Sequence, residues 1–178
     1  VGLWYAFRAV AAETPLRTVE RVDLSRYAGT WYEIARYPNF FQKNCVGTTA
    51  TYKLRPDGRV EVINRCRDKT LTGKVRKARG TAWVVDRETN ARLKVRFFWP
   101  FSGDYWVIEL DPEYRWAVVG HPERKYLWVL SRTPALEPGV YPDILRRIEA
   151  QGYDLKRLQP TPQEAGAGPD HVRPGGAM

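Results

Sequence analysis

Cysteine and histidine are scarce: Cys45, Cys66, His121 and His171 are all that 178 residues contain. Two cysteines leave room for one disulfide or two thiols and rule out a four-cysteine metal site. Metal binding lacks a ligand set, and no metal is assigned. No serine, histidine and acid constellation is evident, and Cys–His nucleophilic chemistry would need His121 to meet a free thiol. His121 stands in the turn sequence GHPER and reads as a solvated surface residue. Long apolar runs are missing as well. Residues 1–12, VGLWYAFRAVAA, are interrupted by Arg8 and fall short of the ~20 residues that cross a bilayer. We read residues 1–21 as an N-terminal arm or the remnant of a signal sequence. Acid is also short, with 20 Asp and Glu against 29 Lys and Arg and a net charge of +9.

Rings are plentiful. Seven Trp, ten Tyr and six Phe need either a wide cavity to line or a wide surface to cover. The basic excess is concentrated between Arg65 and Arg79, where seven bases face the single acid Asp68 for a local +6. Such a run suits a solvated sheet face or anionic lipid headgroups. Nucleic acid is not supported, because no Cys/His zinc pattern or helical recognition motif accompanies it.

From Trp31 the pattern becomes short and two-residue periodic, which is the signature of half-buried strands. Eight segments read this way: 31–37, 46–54, 59–66, 74–85, 91–98, 104–110, 114–120 and 125–132. The separators RPDG, DRETN, FSG, LDPE and HPER supply the Pro, Asp, Asn and Gly that tight turns need. Leu93, Val95 and Phe97 share one face while Arg92, Lys94 and Arg96 share the other. In YPDILRRIEAQG the period changes: Tyr141, Ile144, Leu145 and Ile148 fall on one helical stripe, with Pro142 suited to the first turn and Gly152 to the stop. That helix lies against the outside of the sheet. From Pro160 to Met178 four prolines and four glycines predict a disordered or loosely draped tail. Eight hairpin-linked strands are economically arranged as an up-and-down barrel, since closure removes unpaired edges. A β-sandwich would show the same alternation.

The segments GTWYEIARYPNFF from Gly29 and KYLWVLSRTP from Lys125 resemble the lipocalin family. The likeness is to the bacterial outer-membrane lipoprotein members and their apolipoprotein D-like relatives. TYKLRPDGRVEVINR (51–65) and FFWPFSGDYWVIELDPEYRWAVVG (97–120) support it, and the likeness spans residues 22–158. The resemblance implies an all-β, eight-stranded antiparallel barrel with one C-terminal helix packed outside, followed by a Pro/Gly-rich tail over 159–178. It also implies that Gly29 and Trp31 close the bottom of the barrel, with Arg132 lying across Trp31. An indole at the start of the first strand and a guanidinium at the end of the eighth do become neighbours if the barrel closes.

With Trp31 at the closed end, alternation puts the loops 38–45, 67–73, 99–103 and 121–124 at the mouth and 55–58 and 86–90 at the base. The basic stretch, Arg67 and Lys69 in particular, is then expected to rim the mouth. The expected lining is Val46, Thr48, Ala50, Tyr52 and Leu54, then Val60, Val62 and Asn64, then Leu93, Val95 and Phe97. In the later strands both faces are apolar, so Tyr105 and Val107 compete with Trp106 and Ile108, and Leu127 and Val129 with Trp128 and Leu130. The resemblance favours Trp128 near the ligand. Phe40, Phe41, Trp99 and Phe101 are expected to guard the mouth. Cys45 and Cys66 come to the mouth end of one hairpin, so a disulfide is expected there. Strict alternation sets the two on opposite faces, and the bond therefore requires a bulge near Cys45. Two unpaired thiols are the alternative.

These residues describe a binding module without cofactor. Its expected ligand is a fatty acid or lysophospholipid, held by Phe40, Phe41, Tyr52, Asn64, Phe97, Phe101, Tyr105 and Trp128, with Arg67 and Lys69 addressing an anionic head. Peripheral contact with an anionic membrane surface fits the charge. The likeness implies the bacterial cell envelope, periplasmic or outer-membrane associated, with secretion as the alternative. A small-molecule enzyme in the same cavity and a surface protein binding partners through its basic rim are the competing readings.

Overall fold

The computed structural model describes residues 14–164. Eight antiparallel strands follow one another around a closed ring: β1 Gly29–Arg36, β2 Cys45–Leu54, β3 Val60–Asp68, β4 Val75–Val84, β5 Arg92–Phe98, β6 Phe101–Leu110, β7 Trp116–Gly120 and β8 Leu127–Ser131. Each pairs with its successor, and β1 closes the ring by pairing with β8 on one side and β2 on the other. Closure excludes the sandwich alternative. The helix α2, Val140–Ala150, sits outside as its stripe requires, with Ile144 and Ile148 fully buried against Ile108, Val118 and Val129. Pro142 falls in its first turn, and Gly152, at φ +86°, ends it.

The base is locked by side chains on the first and last strands. Asp23 caps the short helix α1, Leu24–Tyr27, by accepting from the Ser25 and Arg26 N–H groups, and so directs the Tyr27 ring into the barrel. Trp31 is completely buried and donates its indole N–H to the Tyr27 carbonyl at 2.8 Å. The Arg132 guanidinium lies 3.8 Å from the Trp31 ring centroid. It also donates to the carbonyls of Arg26 (2.6 Å), Thr30 (3.2 Å), Tyr27 (3.3 Å) and Tyr114 (3.2 Å). Gly29 has φ +99°, and a Cβ there would come within 3.1 Å of Arg132 Nη1; both facts ask for glycine.

Cys45 and Cys66 are joined in a disulfide. The required bulge is present: the β2–β3 register shifts between Val46 and Thr49, where Gly47 has φ +56°. The extra residue returns Cys45 to the Cys66 side and turns Val46 to the side of its partner Arg67. Val46 therefore leaves the lining expected of it.

The start of the predicted tail is ordered. Gln159–Pro160 form β9, which pairs with Ala35 and Arg36 of β1. Thr161 N–H donates to the Ile34 carbonyl at 2.8 Å, and Pro162 O accepts from Gly47 N–H at 2.7 Å. Beyond Tyr32 the strands β1 and β2 no longer pair, so the segment through Gln163 occupies the gap between them. Composition hid this, because Pro at a sheet edge loses no ladder bond. Residues 1–13 of the N-terminal arm and 165–178 of the tail lie outside the described residues. Residues 14–22 run along the barrel, where Val19 and Val22 donate to the carbonyls of Val107 and Thr89.

Removing the lock tests it. Arg132→Ala should lower unfolding stability by about 1–3 kcal/mol through lost stacking and the exposure of Trp31. Urea denaturation followed by tryptophan fluorescence reads this out. Ligand affinity of the folded fraction should be nearly unchanged, because the lock lies at the closed end.

Candidate functional site

Alternation of β2, β3, β5 and the later strands leaves a cup of about 690 Å³ open at one end. Its floor is a chain of three buried phenols. Tyr27 and Tyr105 hydroxyls lie 2.8 Å apart, and Tyr105 donates to Tyr52 at 2.8 Å. Burial raises the pKa of all three, that of Tyr52 to about 12, so each remains a neutral phenol. Beneath them an apolar space of about 20 Å³, lined by Val22, Leu24, Val60, Ala82, Leu93 and Val107 among others, has no polar group to hold a water.

The waist is walled by Ala50, Val62, Asn64, Val95, Phe97, Val119 and Leu130. The ambiguous later strands are resolved by the helix. Leu127 and Val129 of β8 and Ile108 of β6 pack outward under α2, which turns Trp128, Leu130, Tyr105 and Val107 inward. Trp106 also turns outward and is covered by Arg92, 4.6 Å from its ring.

The mouth is aromatic. Phe40, Phe41, Phe98, Phe101, Tyr126 and Trp128 line it. Tyr126 stacks on Trp128 at 5.8 Å between centroids, and Phe41 leans on both. The loop carrying Phe40 and Phe41 is held by Gln42. Its Oε1 accepts from Trp128 Nε1 and Asn39 Nδ2, both at 2.8 Å, while its Nε2 donates to Glu33 at 2.6 Å. Glu33 is 2 % exposed and also accepts from Arg36 and from Thr161 Oγ1. A buried carboxylate is stable only when so dressed. Arg36 in turn donates to the carbonyls of Gln42 and Cys45.

All eight expected ligand-facing residues, Phe40, Phe41, Tyr52, Asn64, Phe97, Phe101, Tyr105 and Trp128, line the cup. Trp99 does not: it is exposed beside an outer groove formed by Arg79, Gly80 and Arg96. The expected cationic rim is corrected at its odd-numbered strand positions. Arg65, Arg67, Lys77 and Arg79 occupy odd positions, and the alternation that turns Asn64 and Cys66 inward turns these outward. Arg67 pairs with Glu164 at 3.1 Å and donates to the Gly73 carbonyl; Arg79 lies 3.7 Å from Glu61. Lys69 is exposed in the β3–β4 turn with φ +64°. Neither Arg67 nor Lys69 lines the cup. The cation that does is Lys125, which is paired with Glu123.

His121, read as a surface turn residue, is a lining residue. Its Nδ1 accepts from the Glu123 N–H at 3.2 Å, which places the proton of the neutral ring on Nε2. That nitrogen lies 4.0 Å from Asp104, whose other oxygen accepts from Lys94 at 3.0 Å. The edge of the His121 ring meets Tyr126. Sequence periodicity could not find it, because a turn has none.

A model of the lipocalin-like domain matches residues 22–163. The chain is a lipocalin. It is 42% identical over 158 residues to the outer membrane lipoprotein Blc of Escherichia coli, covering 86% of this chain and 89% of that protein. It is 41% identical over 157 residues to temperature-induced lipocalin-1 of Arabidopsis thaliana, covering 83% of each. Among solved structures, insecticyanin from Manduca sexta superposes with a TM-score of 0.67 at 20% identity over 82% of this chain and 83% of that one; this likeness speaks to the fold alone. Membership of the family makes the cup the binding site of a non-catalytic lipocalin.

Burial, against the opposing attraction of Asp104 and Glu123, holds His121 below its ordinary pKa of 6.5. The lipocalin's stability should therefore carry a contribution that is complete above pH 6.5 and is lost as pH falls through the lower folded value. An NMR titration of the ring protons, assigned with His121→Gln, should give a midpoint under 6.5. The denaturation midpoint of the His121→Gln variant should change less between pH 7 and pH 5 than that of the parent.

Proposed function

We propose that this lipocalin carries a single-chain acyl lipid, a fatty acid or lysophospholipid, tail-down in the cup and releases it unchanged. The observation that carries this reading is a one-ended apolar cup of about 690 Å³ with an aromatic mouth, within the ~300–1,000 Å³ typical of small-ligand cavities. An acyl chain of about 15 methylenes contributes roughly 12 kcal/mol on burial, which leaves useful affinity after ordering costs. Apolar walls select poorly among chains, so the identity of the lipid is set by its polar end. The place of action is the bacterial cell envelope, periplasmic or outer-membrane associated.

The mouth is also the face we assign to peripheral contact with an anionic membrane. Phe40, Phe98, Trp99 and Phe101 are each more than three-quarters exposed around it, an apolar crown that water disfavours. Lys43, Lys69 and Lys74 are exposed on the adjoining loops and Arg76 at the start of β4, and Arg76 ties β4 to the loop that carries Phe40 and Phe41 by donating to the Lys43 carbonyl. Rings for the interface and cations for the phosphates are the two parts of a peripheral membrane contact.

Native mass spectrometry of freshly purified protein should show adducts of acyl-lipid mass that organic extraction removes. Titration of the delipidated protein with oleic acid or lysophosphatidylethanolamine should change tryptophan fluorescence saturably. Phe97→Glu should weaken the binding by at least tenfold, by placing a charge in the wall. A folded, delipidated sample that saturates with no acyl lipid would contradict the carrier reading. Sedimentation with vesicles containing phosphatidylglycerol, which should be lost with Phe98→Ser, Trp99→Ser and Phe101→Ser together, tests the membrane contact separately.

A further inference from the structure

Thr48 Oγ1 is the one buried side-chain polar atom without a hydrogen-bond partner among the described residues. Thr48 is 5 % exposed and lines the cup. Leaving a buried hydroxyl unpaired costs free energy, and nearby polar groups are committed elsewhere. Gln163 Nε2 donates to the carbonyls of Thr48 and Glu33 (2.9 and 2.7 Å) and leaves the hydroxyl unserved. Asn64, on the same wall, has no side-chain hydrogen bond within the described chain. It stands directly across from Ala50, two residues along β2 from Thr48, so the two polar side chains are diagonal neighbours, about 7–8 Å apart. Lower on β2, Tyr52 accepts from Tyr105, which leaves its own proton available to the cup. The facing side of the waist, formed by Val95, Phe97, Val119 and Leu130, is apolar.

We infer that Thr48 and Asn64 form a hydrogen-bonding subsite for the neutral ester–glycerol segment of a monoacyl lipid. The inference rests on the carrier reading and narrows it. Hydroxyl and amide each both donate and accept, as recognition of an ester carbonyl beside a glycerol hydroxyl requires. The stripe offers no net positive charge to a carboxylate, because Arg36, the cation beside it, is bonded to Glu33. Burial also keeps the phenols protonated and neutral, so they add no charge to this wall. A free fatty acid therefore gains little from this wall, whereas a glycerol ester satisfies it.

The test uses delipidated protein titrated with 1-monooleoylglycerol, 1-oleoyl-lysophosphatidylethanolamine and oleic acid. Thr48→Val and Asn64→Leu should each weaken both ester lipids by about 3–10-fold and change oleic acid by less than about twofold. Thr48→Val should also raise the melting temperature of the empty protein by about 2–4 °C, since it removes an unpaired buried hydroxyl; Thr48→Ser should retain ester affinity. Equal losses for all three lipids, or no loss with any, would overturn the subsite while leaving the carrier reading intact. A loss confined to lysophosphatidylethanolamine would assign the contacts to the phosphate head and also overturn it. A loss confined to monooleoylglycerol would place the contact on its free terminal hydroxyl, which the lysophospholipid lacks, and would overturn it as well. Failure of the parent protein to bind any of the three would remove the carrier reading itself.

Discussion

Barrel closure at one end is the constraint from which the site follows. Arg132 stacks on Trp31 and at the same time satisfies carbonyls on α1, on β1 and on the turn before β7. One guanidinium thus joins the chain entering the barrel to the strand leaving it. Its five donors in a fixed fork allow this, and a lysine ammonium could not replace it geometrically. With that end shut, Tyr27 is pressed onto Trp31 at 5.0 Å and passes its hydroxyl to Tyr105. The floor of the cup is therefore an extension of the lock.

The open end is held by a different means. Because β1 and β2 pair only from Gly29 to Tyr32, their upper halves separate, and a bare gap would leave backbone groups unpaired. Side-chain hydrogen bonds and the chain after α2 fill it. Thr161 and Gln163 reach Glu33 and Thr48, and Gln42 ties the aromatic loop to Trp128 and Glu33. Glu33 is the node where strand, loop and C-terminal segment meet. Polar contacts of this kind open at lower cost than a strand ladder, which suits the end through which a ligand passes.

Much of this was legible in the sequence where a strand has one buried face. Leu93, Val95 and Phe97 against Arg92, Lys94 and Arg96 gave the inside of β5 directly. The strands β6 and β8 carried no such contrast, because α2 buries their outer faces as fully as the cavity buries their inner ones. A single extra residue at Gly47 takes Val46 off the parity that simple alternation gives it, and the parity conflict of Cys45 and Cys66 is the sequence signal of that bulge. The basic run is legible as a charge feature, but parity and not loop position decides where its strand residues face, so Arg67 meets Glu164 and not the cup. His121, Gln42 and Glu33 escaped because their roles arise from partners far apart in the chain, as with Glu33 and Thr161. The composition of the tail concealed Thr161 and Gln163 for the same reason.

The central claim is a cup closed at the Arg132 end and entered at the aromatic end by a lipid with its tail leading. Stearic acid carrying a nitroxide near either its methyl end or its head, added to isotope-labelled protein, tests this by paramagnetic broadening. The methyl-end label should broaden Val62, Leu93 and Tyr105, and the head-end label should broaden the Trp128 indole and Tyr126. The reverse order, or head-end broadening concentrated at Trp31 and the turn Arg55–Gly58, would contradict it.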